Sequence, residues 1–122
     1  MQKTILVVDD EKLTRQLFRL YFTPKGYDIV EAANGREALE IIEKNCPNLV
    51  IMDVLMPDMD GFSTVRRIRS KLSPDQLPII FLTSRADYKA EVEGLEAGGQ
   101  RFLVKPIHLD FLLATVKELI VE

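Results

Sequence analysis

Three short acidic, hydroxyl and basic groups could together build a phosphoryl-transfer site: Asp9-Asp10-Glu11 with Asp53, then Thr83-Ser84, then Lys105-Pro106. Carboxylates brought together repel and raise each other's pKa, so such a cluster makes physical sense around a hard divalent cation. Mg²⁺ suits carboxylates, a backbone carbonyl and water. With the metal in place, one carboxylate can attack phosphorus while Mg²⁺ and a lysine neutralise charge on the phosphoryl oxygens. Asp53 is the best nucleophile candidate. Taken singly, each group has a plainer reading. An Asp-Asp pair after a strand caps a helix or meets solvent, a threonine at a strand end caps a turn, and a lysine before proline precedes a loop. Only convergence makes them a site.

Convergence depends on the elements that carry them. Ile5 to Val8 reads as a buried strand stopping at Asp9. Beyond it Leu13, Leu17, Leu20 and Tyr21 recur at i, i+4, i+7 and i+8, the apolar face of a helix that Pro24 and Gly26 end. Tyr27 to Ala32 predicts a second strand, and Asn34 the N-cap of a helix with Ala38, Leu39, Ile41 and Ile42 on its apolar face. Asn48 to Met52 is a third strand, followed by a loop from Asp53 to Gly61. Phe62, Val65, Ile68 and Leu72 mark a third helix, and Pro78 to Leu82 a fourth strand. Residues 87 to 97 predict a weaker, mobile helix, because Gly94 inside it costs about 1 kcal/mol relative to alanine. Gly98-Gly99 end it, Phe102 to Val104 form a fifth strand, and Leu109, Leu112, Val116 and Leu119 or Ile120 stripe a last helix.

This order is (βα)₅, an α/β doubly wound parallel sheet covered on both faces. Such sheets bind ligands at the carboxyl ends of their strands, near the topological switch point. Asp9 and Asp10 follow the first strand, Asp53 the third, Thr83 and Ser84 the fourth, and Lys105 the fifth, so all fall on one rim.

The 122 residues, 47% of them hydrophobic, predict one domain spanning residues 1–122. A net charge of −3 from 16 basic and 19 acidic residues gives no footprint for nucleic acid or an anionic membrane. Cys46 is the only cysteine and His108 the only histidine, too few for an internal disulfide or a Cys/His zinc site, and both read as incidental. A cytoplasmic setting fits this cysteine usage. No stretch approaches the ~20 apolar residues of a membrane helix.

The strings Ile-Leu-Val-Val-Asp-Asp-Glu (5–11), Met-Asp-Val-Leu-Met-Pro-Asp-Met-Asp-Gly (52–61), Leu-Thr-Ser (82–84) and Phe-Leu-Val-Lys-Pro (102–106) resemble the response regulator receiver family over essentially the whole chain. The resemblance implies a flavodoxin-like, CheY-like sheet of strand order 2-1-3-4-5. It implies phosphorylation of Asp53, accepted from a phosphohistidine of a sensor histidine kinase or phosphotransfer protein. Asp10 would ligate Mg²⁺ directly, Asp9 would help hold it, often through water, and the backbone carbonyl of Leu55 would be a further ligand. Thr83 matches the switch hydroxyl, Lys105 the lysine that pairs with phosphate, and Phe102 the aromatic that turns inward. Phosphorylation would then change the surface of the fourth helix, fifth strand and fifth helix for a downstream effector protein or domain.

The chain departs from the family pattern in places. Residues 99–101 are Gly-Gln-Arg where many members read Ala followed by two acidic or amide residues. Phe102 replaces a common tyrosine, and Thr115 stands where dimerising relatives commonly carry arginine. Leu55 and Arg85 occupy the positions that frame the path of an attacking water, which implies slow self-dephosphorylation. Rival readings of the same architecture fit less well. An FMN carrier needs a Ser/Thr/Gly-rich loop where this chain has Asp9-Asp10-Glu11. A haloacid dehalogenase-type phosphatase needs a second acid where Leu55 stands. A receiver-fold scaffold that works without phosphorylation is the remaining alternative.

Overall fold

The computed structural model describes residues 2–85 and 87–120. Five parallel strands, β1 (Lys3–Val8), β2 (Tyr27–Ala32), β3 (Leu49–Met52), β4 (Ile79–Thr83) and β5 (Arg101–Val104), pair in the order β2-β1-β3-β4-β5. The helices α1 (Lys12–Phe22), α2 (Gly35–Lys44), α3 (Gly61–Arg69), α4 (Tyr88–Ala97) and α5 (Leu109–Leu119) alternate with them. The order reverses between β1 and β3, whose register pairs Val8 with Met52.

Strand side chains alternate between two cores, as a pleat of period two requires. Leu6, Val8, Val50, Met52, Ile79 and Phe81 face α2, α3 and α4, whereas Ile5, Val7, Leu49, Ile51, Ile80 and Leu82 face α1 and α5. Central strands β3 and β4 are buried throughout; the edge strand β5 leaves Arg101 and Val104 exposed. Asn34 caps α2 by accepting the Glu37 N–H, and Gly98 ends α4 at φ 118°, a left-handed conformation suited to glycine.

One sequence expectation is corrected and another gains a physical reason. In α1 the buried residues are Phe18 and Phe22, while Leu13, Leu17 and Leu20 are exposed. Phe22 stacks edge-on against both Phe18 and Tyr27, so the larger aromatic stripe takes the core. Gly94 in α4 has a packing reason. It is buried, and a Cβ there would lie 2.8 Å from Cδ2 of Phe102, so the glycine makes room for a ring. Thr115 is also inside, donating its hydroxyl to the Phe111 carbonyl at 3.1 Å.

Candidate functional site

Four strand ends meet on one rim, and backbone pairing extends past β1, β3 and β5. The Asp9 N–H donates to the Ala32 carbonyl at 3.1 Å, the Asp53 N–H to the Val8 carbonyl at 3.0 Å, and the Lys105 N–H to the Thr83 carbonyl at 2.8 Å. Each side chain therefore leaves a backbone whose direction is set by the sheet. The Lys105–Pro106 peptide bond is cis.

Asp9, Asp10 and Asp53 each offer a carboxylate oxygen, and these lie within 4.8 Å of one another. Asp9 and Asp53 are buried; Asp10 is exposed. Lys105 Nζ stands 2.8 Å from Asp9 Oδ2 and 3.6 Å from Asp53 Oδ2. Thr83 is fully buried, and its Oγ1 accepts the Arg85 N–H at 3.2 Å.

Burial pushes the Asp53 carboxyl above its ordinary range. Lys105 pulls it back, the charge of Asp9 adds to the rise, and the Leu55 N–H and Thr83 hydroxyl oppose it. Burial works against the Lys105 ammonium, but the hydrogen bond to Asp9 and the charges of Asp53, Asp9 and Glu11 outweigh it and raise its pKa. One lysine thus balances part of a concentrated negative charge. The remaining charge and the all-oxygen donor set suit a hard cation such as Mg²⁺, with exposed Asp10 open to water.

The loop after β3 is folded back against the nucleophile candidate. A Cβ on Gly61 would lie 2.2 Å from the Asp53 carbonyl oxygen, so glycine allows α3 to start directly behind Asp53. Asp60 caps α3 by accepting the Ser63 N–H at 2.8 Å, and Asp58 has φ 69°. The Leu55 N–H donates to Asp53 Oδ1 at 3.3 Å, and the Leu55 residue is 52% exposed. Arg85 turns to Asp87, with Nε 3.0 Å from Oδ2.

The expected residues Asp9, Asp10, Asp53, Thr83 and Lys105 are brought together, and Leu55 joins them through its backbone. Phe102 lies behind the rim, half-buried, its ring centroid 6.1 Å from that of Phe81. Sequence reasoning missed Arg15 and Glu31. Arg15 Nη1 donates to the Asp9 carbonyl at 2.6 Å and its Nε to Glu31 Oε1 at 3.0 Å. The available signal was the register: Glu31 pairs with Val7, two residues before Asp9, while Arg15 follows Asp9 by six residues on α1.

A response regulator receiver domain profile matches residues 5–117. The response regulator MprA of Mycolicibacterium vanbaalenii is 41% identical over 98% of this chain and 51% of its own length. Among solved structures, a response regulator from Chloroflexus aurantiacus is 36% identical, with each chain covered completely and a TM-score of 0.91. The chemotaxis protein CheY4 of Vibrio cholerae is 34% identical over 98% of this chain and 99% of its own, at a TM-score of 0.88. These similarities define the class as a CheY-like receiver fold. The chain belongs to the response regulator receiver family. It spans about half the length of the curated relatives it matches.

Proposed function

We propose that residues 1–122 form one phosphoacceptor receiver domain, which takes a phosphoryl group onto Asp53 from a phosphohistidine of a sensor histidine kinase or phosphotransfer protein. The observation that carries this reading is Lys105 Nζ, held between Asp9 and Asp53 at 2.8 and 3.6 Å on a rim where three carboxylates converge.

An Asp53 carboxylate oxygen attacks phosphorus, a P–O bond forms, the P–N bond to imidazole breaks, and the imidazole leaves with the bonding pair. Without the cation, burial raises the pKa of the Asp53 carboxyl and Lys105 opposes the rise. Asp9, Asp10 and Asp53, with the Leu55 carbonyl, would hold Mg²⁺, which supplies charge neutralisation at the phosphoryl oxygens. Lys105 then donates to a phosphoryl oxygen instead of bridging Asp9 and Asp53, and the Thr83 hydroxyl gains a charge-assisted hydrogen bond available only after transfer. On the strand beside Thr83, Phe102 packs between Gly94 and Phe81, and in this reading a shift of the Thr83 hydroxyl acts on α4 and β5. The receiver catalyses its own phosphorylation and dephosphorylation and passes the change to an effector protein or domain through the α4-β5-α5 surface. A cytoplasmic location fits this role. Among the described residues, no helix is long and apolar enough to cross a membrane.

The test is intact-mass measurement after incubation with a small-molecule phosphodonor. The wild type gains one phosphoryl group with Mg²⁺ and not with a chelator, and Asp53→Asn gains none while remaining folded. Equal labelling of Asp53→Asn overturns the nucleophile assignment. No labelling of the wild type favours a phosphorylation-independent scaffold.

A further inference from the structure

The acidic loop between β1 and α1 is held from behind by a charged relay. Arg15, with a side chain only 13% exposed, reaches from the first turn of α1 to two places at once. Its Nη1 donates to the main-chain carbonyl of Asp9 at 2.6 Å, and its Nε meets Glu31 Oε1 at 3.0 Å. Glu31, near the end of β2, is also engaged through Oε2 by Arg19 Nη2 at 2.7 Å. Burial pushes the Glu31 carboxyl up, but the two arginines outweigh it and hold it below its ordinary value.

The Asp9 carbonyl belongs to the peptide that joins Asp9 to Asp10. Its orientation therefore governs where both carboxylates leave the chain. Other bonds hold only the Asp9 side: its N–H to the Ala32 carbonyl, its Oδ1 accepting the Glu11 N–H at 2.9 Å and its Oδ2 accepting from Lys105 Nζ at 2.8 Å. Among the described residues exposed Asp10 makes no side-chain hydrogen bond or ion pair, so the peptide before it is the constraint on its direction.

We infer that Arg15 is a positioning residue for the cation site: its guanidinium, braced by Glu31, fixes the Asp9–Asp10 peptide so that both carboxylates face Asp53. This rests on the reading of the rim as a Mg²⁺ site. A guanidinium fork is needed because one group must reach a carbonyl and a carboxylate together, which a single ammonium does less well. Partners behind a metal's ligands orient them, and their loss typically lowers metal affinity by about 10- to 100-fold.

Geometry and charge make opposite demands here, and this makes the inference testable. If Arg15 acts only through its charge, removing a positive group near a cation site tightens Mg²⁺ binding. If it acts by positioning, removal weakens binding. Mg²⁺ alone is titrated into the wild-type chain, Arg15→Gln and Arg15→Lys by calorimetry, with thermal melts in chelator to confirm that each is folded. The expected result is a loss of about tenfold in Mg²⁺ affinity for Arg15→Gln and a smaller loss for Arg15→Lys, which keeps the charge but not the fork. Affinity unchanged in Arg15→Lys, or increased in Arg15→Gln, overturns the positioning role. Should Arg15→Gln fail to fold, Arg15→Lys alone decides. A wild type that binds no Mg²⁺ overturns the metal reading of the rim itself, an outcome distinct from wild-type binding that the variants share.

Discussion

The two flanks of the acidic rim are built from different materials. On the β1-α1-β2 side, direction is set by charge: Arg15 and Arg19 share Glu31, and Arg15 pins the Asp9 carbonyl. On the β4-α4-β5 side Lys105 reaches Asp9 and Asp53 at the rim, and the layer behind it is packed rings. Phe62, Phe81 and Phe102 follow one another with centroids 5.4 and 6.1 Å apart, and glycines leave the room they need. A Cβ on Gly99 would lie 2.6 Å from Phe81 Cδ2, much as one on Gly94 would meet Phe102. Hydrogen-bonded ion pairs with a directional fork hold one geometry. The Phe102 ring is half-buried on the edge strand next to the one that carries the fully buried Thr83. The first flank holds the Asp9 main chain, and under the proposed function the second is the one that responds to a phosphoryl group on Asp53.

The comparison breaks most readily on the packed side. Gly94→Val gains only a few tenths of a kcal/mol in helix propensity, whereas overpacking against Phe102 and Phe81 costs about 1–3 kcal/mol. The expected outcome is a melting temperature lower by several degrees, read by circular dichroism; no loss would show that the slot is not tight. Arg19→Gln on the charged side should do much less. Its side chain is 48% exposed and Arg15 still holds Glu31, so the expected change in stability is within about 1 kcal/mol. A larger loss would mean that Arg19, not Arg15, carries the relay.

What could be read from sequence follows the range over which each feature is encoded. The rim was legible because strands end at polar residues, Val8 before Asp9, Met52 before Asp53 and Val104 before Lys105, whereas the strand order 2-1-3-4-5 came from the family resemblance. The face of α1 was not, because two apolar stripes run at helical spacing, Leu13-Leu17-Leu20 and Phe18-Phe22, and periodicity does not choose between them. The contact of Phe22 with Tyr27 on β2 does. The Arg15–Glu31 brace was hidden for the same reason: it exists because β2 lies beside β1, a pairing of residues 16 apart in the chain. Gly94 was read as a flaw in a helix because the ring that fills its space comes from β5.

Under the proposed function a phosphoryl group on Asp53 is felt on the packed flank and not on the charged one. Backbone amide NMR spectra of the Mg²⁺-bound protein, before and after reaction with a phosphodonor, test this most directly. The predicted result is large shifts around residue 53 and from 83 to 105, with α1 beyond its first turn and β2 nearly unmoved. Shifts of equal size through α1 and β2, or none between 83 and 105, would contradict it.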